Sequence, residues 1–276
     1  MNASIRRFLA CVLALFCVLP LSSCKKTNDN NPLSSGSYDE TGNYQPSIPD
    51  RSKQLAELEE RNSDAVSWLM VPNTKIDEGV VQAGDNEYYL RRNMYGKYSY
   101  EGCYYLDYEC LPGEDDLFSR NSIIYGHNLG TPMGVKDDSN GAKFAQLLKF
   151  ADESFASQTP YIFLTTNNGA HVLEIFTVFY CEADLDPIPY HYADYSDENF
   201  NDLMHDVQER SEYIYETQPG IGDNILTLST CTYKYGTYSQ NPNQRFVVMG
   251  RLMQEGDQYF ETAKFEKNPN PKPPNF

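Results

Sequence analysis

Three residues of this chain have types and spacing that could together break and remake an acyl bond. Cys231 closes "TLSTC", a run of β-branched and hydroxylated residues that predicts a strand whose last side chain emerges at a sheet rim. A thiol there can attack a carbonyl, although an isolated cysteine is most often a small buried hydrophobe. Nucleophilic catalysis needs two further groups, a proton donor for the leaving group and a holder for the developing oxyanion. His127 ends "SIIYGHN", where the chain changes direction and a side chain can reach a rim. Arg245 opens "RFVVMGRL". If the strands bearing Cys231 and Arg245 pair antiparallel around "TYKYGTYSQNPNQ", the two residues face each other at the loop end.

Bringing them together requires a sheet. "DRSKQLAELEERN" (50–62) has Leu55 and Leu58 at helical spacing and predicts a short amphipathic helix. A strand is expected near Gly79 to Gln82, and "EGCYYLDYEC" and "NSIIYGHN" are expected as strands on either side of the acidic turn "LPGEDD". "GAKFAQLLKFAD" has a helical pattern, and "PYIFLTT" and "HVLEIFTVFYC" predict a hairpin turning at Asn167-Asn168-Gly169. An insertion from about Glu182 to Gly222 contains "SDENFNDLMHDVQERSEYI", which puts Phe200, Leu203, Met204, Val207 and Ile214 on one helical face behind a Ser196 N-cap. The domain is therefore expected to be mainly β, and a closed or nearly closed barrel removes exposed edges.

The flanks differ in kind. Residues 1–23 combine Arg6 and Arg7 with an apolar run from Phe8 to Leu19 too short to span a bilayer, the layout of a secretory signal. "LSSC" at its end resembles a lipobox, which would make Cys24 the lipidated N-terminus of the mature chain; an ordinary signal or an uncleaved anchor are the alternatives. Residues 24–50 are poor in aliphatic side chains and are expected to be a disordered tether, and the Pro- and Asn-rich 267–276 a disordered tail. The folded domain would then span 51–266. The expected location is extracytoplasmic, tethered to the bacterial cell membrane.

A net charge of −17 would repel phosphate backbones and argues against a nucleic-acid partner. Cys103, Cys110, Cys181 and Cys231 are left for the domain, and a seven-residue strand would hold Cys103 and Cys110 too far apart for a disulfide. His171, His191 and His205 have no recognisable ligand spacing with Cys181, so no metal or other cofactor is expected.

The motifs "IIYGHN", "LTLSTCTY" and "RFVVMGRL", in that order, resemble the sortases of class B. "WLMVPNTKID", "VVQAGDNEYYL" and "GCYYLDY" are similar to the amino-terminal part of that class, and the likeness runs from about Leu55 to Met253. The resemblance implies a closed barrel of about eight strands with an N-terminal helix and an inserted helix before the cysteine strand. It implies a cysteine transpeptidase that cleaves a C-terminal sorting motif of secreted proteins and passes the acyl group to an amine of a peptidoglycan precursor or a pilin. Cys231 would be nucleophile, His127 general acid and base, and Arg245 the oxyanion and substrate donor. Thr232 stands where some class B members carry an acid, so any positioning by that carboxylate is expected to be absent. A peptide-binding module without turnover and a peptidase that only hydrolyses are the rival readings.

Overall fold

A computed structural model describes residues 36–111, 117–185 and 189–276. The signal-type segment 1–23, Cys24 and the first part of the tether lie outside the described residues, as does most of the acidic turn after Leu111.

The elements in chain order are β1 (Ser37–Tyr38), β2 (Tyr44–Gln45), α1 (Ser52–Glu59), β3 (Ala65–Val71), β4 (Ile76–Val81), β5 (Tyr104–Leu106), β6 (Asn121–Tyr125), β7 (Asn128–Leu129) and β8 (Ala142–Lys143). After them come α2 (Glu153–Gln158), β9 (Tyr161–Thr166), β10 (Gly169–Glu182), α3 (Asp197–Arg210), β11 (Tyr213–Tyr215), β12 (Ile225–Cys231), β13 (Gln244–Leu252) and β14 (Phe265–Lys267). Eight strands close a barrel in the order β10-β13-β12-β6-β5-β4-β3-β9, as the sequence led us to expect. The β9–β10 hairpin turns at Asn167 and Asn168, with Gly169 taking φ +126° where a side chain would be strained.

Strand alternation gives the barrel wall two apolar faces. Leu226, Leu228, Phe246 and Val248 point into the barrel core. Ile225, Val247, Met249, Phe179 and Cys181 point outward and are covered by Phe200, Leu203, Met204 and Val207 of α3. The insertion is thus the lid of a second core. Ser196 caps α3 by accepting from the Asn199 amide at 3.2 Å. On the opposite side of the barrel, α1 buries Leu55 and Leu58 beside Ala65.

Several expectations need correction. Ile214 is not on the α3 face; the helix ends at Arg210 and Ile214 is an exposed residue of β11, flanked by buried Tyr213 and Tyr215. A period of two overrides the helical count there because β11 pairs with β14. "GAKFAQLLKFAD" forms a 3-10 segment, Phe144–Ala151, whose Phe144, Leu147, Leu148 and Phe150 are all buried. "EGCYYLDYEC" keeps only three strand residues before turning at Asp107, whose carboxylate accepts from the Glu109 amide at 2.9 Å.

The flanks are also more ordered than composition implied. Residues 36–45 form the β1–β2 hairpin, held by Asp39 accepting from Thr41 and Asn43, and Tyr44 bridges to Tyr259. The tail 267–276 lies along α3. Lys272 Nζ meets Asp206 and Glu209 at 2.7 and 3.0 Å, Arg210 Nη1 donates to the Pro273 carbonyl at 3.1 Å, and Phe276 packs on Tyr235 at 5.3 Å between ring centroids. These partners order a segment whose own apolar content is too small to do so.

Candidate active site

β12 runs parallel to β6 and antiparallel to β13, so the ends of three strands meet at one rim. Cys231 pairs directly with Arg245, as expected, and Arg245 pairs on its other side with Cys181. Directly opposed residues share a sheet face, so Cys181, Arg245 and Cys231 form one row on the outer wall. The last paired row of β6 and β12 is Tyr125 with Ser229, and His127 and Cys231 each come two residues later. Thr230 Oγ1 donates to the Gly126 carbonyl at 2.7 Å and keeps the two chains together past that row.

The insertion reaches this wall at Ser229, whose Oγ lies 2.8 Å from Tyr190 Oη. Beyond it opens a cleft of about 700 Å³ lined by His127, Cys231 and Arg245 together with Arg91, Tyr125 and Tyr233, among others. All three residues singled out from sequence therefore line one cavity. Cys103, Cys110 and Cys181 are buried and in no disulfide, and burial pushes the thiols of Cys103 and Cys110 up to about 12. Cys231 is the one free cysteine of the described residues that is partly exposed.

His127 Nε2 has two neighbours of opposite demand. The Leu90 carbonyl lies 2.8 Å away and Arg91 Nη1 3.0 Å away. A protonated Nε2 donates to the carbonyl; a bare one accepts from the guanidinium. Burial lowers the imidazole pKa below its ordinary 6.5, the Leu90 hydrogen bond opposes that shift, and the charges of Arg91 and Lys143 add to it. Neutral imidazole is thus favoured near pH 7. Gly102, at φ +62°, makes room for the ring: a Cβ there would sit 2.9 Å from the Leu90 carbonyl oxygen and 3.1 Å from His127 Cδ2.

Arg245 donates from Nη1 to the carbonyls of Pro242 and Gln244, at 2.9 and 3.0 Å. Burial works against its charge, but Cys231, Tyr190, Cys181 and Asp184 hold its pKa above the ordinary value. The guanidinium remains charged at any working pH and can receive an oxyanion.

Three residues escaped the sequence reading. Asn128, next to His127, donates from Nδ2 to the Cys231 carbonyl at 2.9 Å and to Asp137 Oδ1 at 2.8 Å. Asp137 also accepts from the Thr232 hydroxyl at 2.6 Å and the Tyr233 amide at 3.0 Å. The carboxylate missing at position 232 is thus supplied from another loop, to the residue that stands there. Arg91 was the third. Asn128 closes the motif "IIYGHN", whereas Asp137 and Arg91 belong to no motif and were hinted at only by the charged side chains in loops near "YGHN" and "YYLRR".

The remaining histidines make other contacts. His171 Nε2 is 2.9 Å from Thr166 Oγ1, His191 packs between Tyr190 and Tyr192, and His205 is exposed beside Glu209. Among the described residues, no group of three or more His, Cys, Asp and Glu side chains is arranged to hold a metal ion.

No family model matches the chain. It is 30% identical over 200 residues to Sortase B of Listeria monocytogenes, an alignment covering 72% of this chain and 74% of that protein. The chain belongs to the sortase B family. Sortase B of Staphylococcus aureus is 22% identical over 200 residues, covering 72% of this chain and 75% of that protein. The X-ray structure of Clostridium perfringens sortase B matches with a TM-score of 0.61 and 28% identity, over 72% of this chain and 99% of that one. Sortase B membership makes the chain a sortase-type transpeptidase, and its barrel matches that of a solved sortase B.

Proposed function

We propose that Cys231, His127 and Arg245 carry out acyl transfer on a sorting peptide. One observation supports this above the others: the partly exposed thiol shares its cleft with an imidazole and a guanidinium, and the guanidinium is its direct cross-strand partner. The Cys231 thiol passes its proton to the neutral His127 imidazole, the thiolate attacks the scissile carbonyl carbon, and Arg245 donates to the oxygen that gains the charge. Collapse breaks the C–N bond, the His127 imidazolium gives its proton to the departing amine, and a thioester remains. An incoming amine then attacks the thioester, His127 takes its proton, and the Cys231 thiolate departs.

The proposed substrates are secreted proteins bearing a C-terminal sorting motif, and the acceptor is an amine of a peptidoglycan precursor or a pilin. Solved relatives include a Staphylococcus aureus sortase B–substrate complex and a sortase B complexed with triglycine, in keeping with a peptide donor and an amine acceptor. The proposal places the enzyme outside the cytoplasm, held to the membrane through lipidated Cys24.

Intact-mass spectrometry of the purified protein with a library of sorting peptides, with and without an amine, tests the chemistry. A mass increment on Cys231, absent in Cys231→Ala and lost in His127→Ala or Arg245→Ala, is expected. Ligated product should replace cleaved product when amine is present. Binding without adduct or cleavage would favour a peptide-binding module, and cleavage that no amine diverts would favour a hydrolase.

A further inference from the structure

Lys143 has a backbone conformation that its side chain opposes. Among the described residues other than glycine, only Asn73 and Lys143 have a positive φ, at +58° and +56°. Asparagine tolerates the left-handed region, whereas lysine does not, and a ψ of −136° puts Lys143 where only glycine goes freely. Such strain persists only where surrounding contacts hold it, and it gathers at functional sites.

Two neighbouring strands hold it. Lys143 Nζ reaches both carboxylate oxygens of Glu78, on β4, at 2.7 Å, in a pair that is mostly buried. The next side chain, Phe144, stacks on Tyr104 of β5 with ring centroids 4.4 Å apart, and Lys143 Nζ lies 5.2 Å from the centroid of that same tyrosine. Consecutive side chains of an extended chain point to opposite faces. Here both dock on one wall, and the twist of the backbone at Lys143 is what allows it.

This docking sets the segment that bears the imidazole. The Phe144 amide donates to the His127 carbonyl at 2.9 Å, and Lys143 pairs with Asn128 across β7 and β8. Gly126 packs so closely on the Phe144 ring that a Cβ there would lie 2.8 Å from it. We propose that Lys143 and Glu78 are positioning residues for His127: their ion pair holds a strained backbone in the shape that presents the Phe144 amide to the His127 carbonyl. The inference rests on the acyl-transfer reading, in which the imidazole exchanges protons with the thiol, the leaving amine and the acceptor. Lys143, Phe144 and Glu78 do not line the cleft, so the pair acts on the rate through His127 and not by touching the peptide.

The experiment compares Lys143→Met with Lys143→Gly. Both remove the ammonium, and with it a charge that helps to lower the imidazole pKa, but only glycine takes the observed φ and ψ without strain. Acylation by a sorting peptide that reacts with the native protein is followed by mass spectrometry in these two variants, in Glu78→Gln, and in the double variant Glu78→Gln with Lys143→Gly. Lys143→Met and Glu78→Gln should each slow acylation at saturating peptide by about tenfold or more, the effect of a small displacement of a reacting group, with the half-saturating peptide concentration unchanged. Lys143→Gly should stay close to the native rate and should rescue Glu78→Gln, because an unstrained backbone needs no clamp. A native rate in Lys143→Met overturns the inference. So does a Lys143→Gly variant as slow as Lys143→Met, since the charge itself would then matter, and so does an effect confined to the half-saturating concentration. If Lys143→Met does not fold, Glu78→Gln with and without Lys143→Gly decides the same question. A native protein that forms no thioester with any sorting peptide overturns the acyl-transfer reading itself, before any variant is compared.

Discussion

Thr232 Oγ1 donates to Asp137 Oδ2 across 2.6 Å, and the other oxygen of that carboxylate accepts from Asn128 and the Tyr233 amide. Asp137 therefore joins the residue after His127 to the two residues after Cys231. Hydrogen bonds to a charged acceptor are the stronger kind, and this one carboxylate collects three. The loop after His127 and the end of β12 are held as one unit, although they are far apart in the chain.

Asp137→Ala should release that connection. Since small misplacements of reacting groups are costly, kcat/KM is expected to fall by about 10²-fold while far-UV circular dichroism is unchanged. Asp137→Asn keeps one acceptor oxygen and should lose less. Steady-state cleavage of a sorting peptide checks both, and a native rate in Asp137→Ala would show that β12 positions Cys231 unaided.

The pH profile should respond to Arg91. Its charge helps to hold the His127 imidazole below 6.5, so removing it in Arg91→Gln raises that pKa. The acid limb of the cleavage rate, set by the imidazole, should move to higher pH. An NMR titration of His127 Cε1–H measures the shift directly; movement to lower pH would mean that loss of Arg91 buries the ring further.

Gly102 is open to a steric test. Alanine there meets both a φ of +62° and the Leu90 carbonyl at 2.9 Å. Gly102→Ala should cost about 1–2 kcal/mol of stability, from the strained backbone and the close contact. It should also lower kcat by displacing His127. A stability loss by thermal melt without any rate loss would separate the loop from the imidazole.

Deleting residues 269–276 should be felt at α3. Asp206 and Arg210 are buried partners at 2.7 Å, and the deletion removes Lys272 from one and the Pro273 carbonyl from the other. The expected cost is about 1–3 kcal/mol, read from denaturant unfolding. Unaltered stability would mean that water replaces the tail at these groups.

The candidate site was legible where it depends on local order. β12 and β13 are consecutive barrel strands with strong β-formers, so the pairing of Cys231 with Arg245 follows from one hairpin. His127 could be assigned a role from its motif, but the parallel β6–β12 contact that brings it level with Cys231 is non-local and has no turn signal. Arg91 and Asp137 act from loops whose positions are set by tertiary packing, and nothing in their immediate neighbours marks them. Ile214 shows the opposite error. Its helical spacing from Val207 was real, but pairing of β11 with β14 decided the local structure.

The position of β13 in the barrel also orders events in time. It is the last barrel strand to be synthesised, and it lies between β10 and β12, which have no other means of meeting. As the chain emerges from its N-terminus, His127 is made first, Cys231 next and Arg245 only afterwards. Until β13 is complete, the wall that carries the thiol is an open edge, and the guanidinium opposite it does not exist. On the proposed mechanism the set of three is incomplete in a nascent chain and arises in the same step that closes the barrel.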